Sequence, residues 1–180
     1  MTARRLGILV LVVTAGAACR RVGPFDQHTV RLATAEMRST SGVRFGTLTL
    51  TPGVAGVRID GALTGVPAGM HGIHFHQTGR CDGPDFSSAG PHLNPTGAQH
   101  GLDNPRGPHA GDLPNVIANT NGQMVVDVAT PRVILGSTGA GALFDGDGTA
   151  LIIHAAADDQ RTDPAGSSGE RIACGVITRS

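Results

Sequence analysis

The chain has 180 residues, 27 Gly, 11 Pro and neither Trp nor Tyr, and its 14 basic residues, all Arg, balance 14 acidic ones. That length suits one folded domain, and the even charge balance offers no polybasic face for nucleic acid. Gly at about twice its average use of roughly 7%, without a long helical period, points to short strands joined by many turns.

The N-terminus reads as an export signal. Arg4 and Arg5 precede the apolar run Leu6–Val13, and small residues follow from Ala15 to Ala18. A charged start, a short apolar centre and a small-residue exit define a secretory signal peptide over residues 1–18. The run is shorter than the roughly 20 residues of a membrane span. Ala15-Gly16-Ala17 offers an ordinary cleavage site, and Gly16-Ala17-Ala18-Cys19 also resembles the lipobox of bacterial lipoproteins, although Gly16 stands where Leu is usual. The expected location is therefore the periplasm or cell envelope, with membrane attachment through a lipidated Cys19 in the second reading. Residues 19–28 form a tether carrying His28, and residues 29–180 form the domain. Without residues 1–18 the charge is 12 basic against 14 acidic, a net of −2.

Beyond the tether, apolar residues alternate with polar ones. Val30 and Leu32, Leu48 and Leu50, Val57 with Ile59 and Leu63, and Val126 with Val128 follow the period of two expected of half-buried strands. Asn121-Gly122, between Val116-Ile117 and Met124-Val126, is a hairpin signal. Leu151–His154 reads as a buried strand ending in a functional residue, and Arg171–Ile177 as a last strand. The expected fold is all-β, an antiparallel sandwich or barrel. Two stretches, 77–114 and 155–170, carry Gly, Pro, Asp and Asn without strand patterning. Loops of that length in a compact domain are usually functional.

The first loop carries Cys81, His92, His100, His109 and Asp112. Disulfides persist in exported proteins. Cys81 and Cys174 both fall in the folded region and are the natural pair, whereas Cys19 is the odd one. Six of eight histidines form a series: His74, His76, His92, His100, His109 and His154. In a strand, residues two apart project from one face, so His74 and His76 can reach one ion. His71 should face the other side as a hydrogen-bonded structural residue. Six imidazoles and one carboxylate suffice for two metal ions sharing a ligand.

At this point the chain resembles the copper/zinc superoxide dismutases. The resemblance rests on His71-Gly-Ile-His74-Phe-His76, Ser88–Pro95 around His92, His109-Ala-Gly-Asp112-Leu-Pro-Asn115, His154-Ala-Ala-Ala-Asp158-Asp159 and Gly169–Ile177 around Arg171 and Cys174. These stretches occur in family order and span most of residues 29–178. The resemblance implies a Greek-key barrel of about eight antiparallel strands, with a long metal-binding loop and a second active-site loop. It implies copper ligands His74, His76, His92 and His154, and zinc ligands His92, His100, His109 and Asp112, with His92 shared. Four imidazoles suit copper, and three imidazoles with a carboxylate close a structural zinc. Asp158 matches a carboxylate that bonds ligands of both metals, and Arg171 matches an arginine that guides the anionic substrate.

The implied reaction is dismutation of superoxide to oxygen and hydrogen peroxide as copper alternates between Cu(II) and Cu(I), with His92 taking up and returning a proton. Arg161, Arg80 and Arg106 are further candidates for the attracting field. Glu170 departs from the pattern, because a small residue beside Arg171 would be kinder to an anion. The loop 155–170 is short, as in bacterial members, and a homodimer is compatible with the family. A metal-delivery module on the same fold is the alternative, but the four Met at 1, 37, 70 and 124 form no soft copper cluster. A zinc hydrolase, which needs an open coordination position, fits the ligand order poorly.

Overall fold

The computed structural model describes residues 32–54 and 56–180. The signal peptide, the tether, Cys19, His28 and Val30 lie outside the described residues.

The strands are β1 (Ala33–Ser39), β2 (Arg44–Gly53), β3 (Gly56–Thr64), β4 (Gly69–His71), β5 (Ile73–His76), β6 (Val116–Ala118), β7 (Gln123–Thr130), β8 (Ala150–His154) and β9 (Arg171–Arg179). They form one antiparallel sheet in the order β4-β6-β7-β3-β2-β1-β9-β8-β5. The two end strands, β4 and β5, are consecutive in the chain with only Gly72 between them. One segment therefore pairs with β6 at its start and with β8 at its end, and the sheet curls into a nearly closed barrel. The connection from β3 to β4 passes over β7 and β6, which makes the topology a Greek key. Nine strands appear where about eight were expected, because Gly72 splits one of them.

Alternation decides which side chains enter the barrel. Leu48 and Leu50, Val57, Ile59 and Leu63, and Met124 and Val126 are all buried in one core, as the period of two requires. The first strand differs from expectation: Leu32 is 38% exposed, and the inward residues are Ala33, Ala35 and Met37. Two alanines give a weak apolar signal, so the larger Leu32 drew the reading one residue early. Val128 is only partly buried against the core. The hairpin at Asn121-Gly122 forms as expected, with Gly122 at φ 74° and its N–H donating to Asn119 O at 2.9 Å.

Strand β8 is buried on both faces. Leu151 and Ile153 enter the barrel. Ala150 and Ile152 point outward into a second cluster with Phe86, Ala89 and Cys174, covered by the first loop. That loop contains only one short 3-10 turn, Ser87–Ala89. Its order comes from β5, whose free edge it pairs with: Leu93 N–H donates to Phe75 O at 2.8 Å, and Phe75 N–H donates to Gly111 O at 2.9 Å. Gly111 is needed there, since a Cβ would collide with Phe75 O. The disulfide Cys81–Cys174 pins the loop to β9, with Cα atoms 5.7 Å apart.

Candidate metal centre

On β5, Ile73 and Phe75 fill the barrel, which leaves His74 and His76 on the outer face beneath the loop. The loop's pairing with β5 sets the rest of the site. Bridges His74↔Asp112 and His76↔His92 lay those loop residues beside the strand histidines. On β8, His154 follows Ala150 and Ile152 on the outward face.

The donors gather into two groups that share His92. His74, His76, His92 and His154 form one; His92, His100, His109 and Asp112 form the other; within each, one donor atom per residue lies within 4.8 Å of the rest. All seven residues are buried. Among the described residues, the buried side-chain atoms without a hydrogen-bond partner include His74 Nδ1, His76 Nε2, His92 Nε2 and His154 Nε2, and also His100 Nδ1 and His109 Nδ1. An unpartnered buried polar atom is costly, and six of them aimed at two points mark positions that cations would satisfy. Asp112 Oδ1 lies 3.0 Å from His92 Nδ1, 3.0 Å from His100 Nδ1 and 3.3 Å from His109 Nδ1. A tetrahedral zinc with bonds of about 2.0–2.1 Å has ligand–ligand edges of about 3.3 Å, so the set fits zinc. Four imidazoles fit copper.

The opposite ring nitrogens are held from outside. Asp158 accepts from His74 Nε2 at 2.7 Å and from His100 Nε2 at 3.0 Å, so one carboxylate spans both groups. His76 Nδ1 donates to Gly90 O at 2.8 Å and His154 Nδ1 to Gly169 O at 3.0 Å. These contacts choose the tautomer and leave the inward nitrogen free to ligate. Burial keeps the rings neutral: the pKa of His92 falls to about 4 and that of His154 to about 3. His100 differs. Burial works against its charge, but Asp112 and Asp158 outweigh that and raise its pKa to about 9, so zinc would have to displace a proton there. Asp112 is likewise held far below the usual carboxylate range, despite burial, by the surrounding imidazoles and the Gly101 N–H.

Arg171 reaches the site through an irregularity. The β8–β9 register shifts between Ile153, opposite Ala173, and His154, opposite Arg171. The extra residue turns Arg171 outward, where regular pairing would have pointed it into the barrel. Its guanidinium donates to Phe86 O at 2.6 Å and Gly90 O at 2.7 Å. Gly90 O therefore joins Arg171 to His76. Arg171 borders an open pocket shared with Asp85 and the exposed Glu170. Arg106 and Arg161 instead line a pocket over the zinc group, and Arg80 pairs with Asp82 at 2.5 Å. His71 stays outside both groups, spanning the His154 and Pro67 carbonyls at 2.8 Å each.

Several contributors had no reading from sequence. Asn115 clasps the backbone of Asp158, donating to its O and accepting from its N–H, both at 2.8 Å. Asp159 turns the loop by accepting from Thr162 N–H at 2.8 Å. Arg132 donates to Asp112 O at 2.6 Å. Gly166 sits at φ 62°, where a Cβ would enter the Asp158 carboxylate. Among them Asn115 and Asp159 had a visible signal, inside the His109–Asn115 and His154–Asp159 motifs. Gly166→Ala is expected to push Asp158 off His74 and His100 and weaken metal retention about 10–100-fold, the usual cost of losing an outer partner. Metal content after dialysis against a chelator checks this; wild-type retention would exclude the steric argument.

A nearly closed Greek-key barrel with two adjoining buried donor groups that share one histidine is an architecture that could hold two metal ions side by side. Residues 44–177 match the family model for copper/zinc superoxide dismutase. "Superoxide dismutase [Cu-Zn] 2" of Aquifex aeolicus is 44% identical over 146 residues, 81% of this chain and 85% of that protein. "Superoxide dismutase [Cu-Zn]" of Caulobacter vibrioides is 42% identical over 147 residues, 81% of this chain and 84% of that protein. The crystal structure of a superoxide dismutase-like protein from Bacillus subtilis superposes with a TM-score of 0.76 at 36% identity, covering 79% of this chain and 95% of that one. The chain belongs to the copper/zinc superoxide dismutase family, whose cofactors are copper and zinc, and it is an oxidoreductase.

Proposed function

We propose that this protein dismutates superoxide at a copper held by His74, His76, His92 and His154, with a structural zinc held by His92, His100, His109 and Asp112. The observation that carries the reading is the set of six buried, unpartnered ring nitrogens converging on two points joined by His92. When bound, copper supplies the one-electron exchange that turns two superoxide anions into oxygen and hydrogen peroxide. The chain's own residues do the rest. Arg171, locked by the Phe86 and Gly90 carbonyls, offers a fixed cation to an arriving anion. His92 Nε2 is the buried atom at which the chain holds a proton for the product. Asp112 and Asp158 stay ionised and fix the ring orientations.

The alternative, a metal-delivery module, draws support from the relative named superoxide dismutase-like. It is disfavoured here because Met37 and Met124 are fully buried in the barrel core and Met70 lies on β4, so no thioether cluster adjoins the histidines among the described residues. Export through residues 1–18 to the periplasm or cell envelope, with or without lipidation at Cys19, completes the proposal; mass spectrometry of membrane-fraction protein would detect a diacylglyceryl group.

The deciding experiment is metal analysis combined with a dismutation assay on loaded protein. One copper and one zinc per chain with activity is expected, and a fully loaded, inactive protein would overturn the reading. Charge at the pocket gives a finer test. Glu170 lies beside Arg171 and repels the anion, so Glu170→Ser is expected to raise kcat/KM roughly two- to threefold at low salt and not at high salt. Unchanged salt dependence would remove Glu170 from the steering field.

A further inference from the structure

We propose that Asp163 is a positioning residue for the zinc group, fixing the His100 backbone and serving His109 as its outer carboxylate, and thereby setting how long zinc is retained. The inference rests on the two-metal reading above. Four ligand imidazoles have their outward nitrogens tied by short contacts: His74 and His100 to Asp158, His76 to Gly90 O and His154 to Gly169 O. His92 has both nitrogens turned toward the two groups. His109 is the exception. Its Nδ1 faces the zinc point without a partner, which leaves the ring proton on Nε2. The carboxylate facing that nitrogen is Asp163, with Oδ1 at 3.8 Å. That is too long for a direct hydrogen bond but within reach of a small side-chain rotation or one bridging water.

The same Oδ1 accepts from His100 N–H at 2.7 Å. Asp163 thus touches the main chain of one zinc residue and faces the ring of another; Asp112, itself one of the donors, does the same from the inner side of the group. The loop around it is organised for this. Asp159 accepts from both Arg161 N–H at 2.9 Å and Thr162 N–H at 2.8 Å, and Gln160 O accepts from Asp103 N–H at 3.1 Å. These contacts clamp residues 159–163 against the zinc loop. The Asp163 side chain is 50% exposed, against 7% for His109, and it borders a solvent-open pocket with Gln99, Asn104, Arg106 and Arg161. It therefore stands at the solvent side of the zinc group.

The test measures transfer of zinc from copper/zinc-loaded protein to a chromogenic chelator, for wild type, D163N, D163E and the neighbouring control D103N. D163N keeps an acceptor for His100 N–H but loses the charge facing His109. It is expected to release zinc at least about tenfold faster, in line with the usual effect of outer partners. D163E should recover to within about threefold of wild type, and D103N should match wild type. Cobalt in the zinc position supplies a second readout: its visible bands should shift in D163N and return in D163E. Equal release from wild type and D163N, or equal acceleration in D103N, would overturn the proposal. Failure of wild type to take up zinc would overturn the two-metal reading, and this proposal with it.

Discussion

Replacing His154 with alanine is expected to lower dismutation per chain by more than about a hundredfold while leaving zinc content near one per chain. The asymmetry follows from the donor groups: His154 belongs to the copper group alone, whereas the zinc group is complete without it. Its ring is neutral through burial, its Nδ1–H is committed to Gly169 O, and its Nε2 lone pair is free. Loss of an outer partner alone costs about 10–100-fold in metal affinity or activity, and loss of a direct donor should exceed that. The barrel should survive, because β8 is anchored by Leu151 and Ile153 on the opposite face. Metal analysis and the dismutation assay on the same sample check both halves. Retained copper and activity would exclude His154 from the site.

Removing the disulfide, as C81S/C174S, is expected to cost between about 4 and 5 kcal/mol of stability. The bridge spans a sequence separation of 93, and the chain-entropy relation for so long a loop gives that range. At roughly 2–4 °C per kcal/mol for a domain of this size, the melting midpoint should fall by about 8–20 °C. Activity should fall as well, and by a traceable route. Cys81 anchors the stretch that presents Phe86 O and Gly90 O to Arg171, and Gly90 O also fixes His76. A freed loop would release Arg171 and one copper donor together. Calorimetry of oxidised and double-serine protein measures the first effect, and the salt dependence of kcat/KM measures the second. A midpoint shift below a few degrees would show that metal contacts and pairing with β5 hold the loop unaided.

Local rules explain how much was legible beforehand. The period of two identified most strands and put His74 and His76 on one face, because alternation is a property of any extended chain. The same rule failed at β1, where Ala33 and Ala35 are too small to stand out and the exposed Leu32 misled. Donor chemistry needed no coordinates: imidazoles and a carboxylate are metal ligands wherever the chain places them. The seven donors do lie together. Arg161, Arg106 and Arg80 did not join Arg171 at its pocket, because loop side chains are placed by contacts that no periodicity encodes.

The amino-acid sequence by itself therefore determined the element type, the donor set and the pair of cysteines available for bonding. Only the tertiary structure decided how those parts face one another. The edge of β5 recruits the first loop, and that sets which histidines share a point. A register shift opposite His154 turns Arg171 outward. Asp158 reaches back 84 residues to His74 and 58 to His100, and Gly166 leaves the space it occupies. Each of these depends on a distance or an angle between segments remote in the chain. Such quantities are set by packing and by the direction of hydrogen bonds, which have no local signature in residue order.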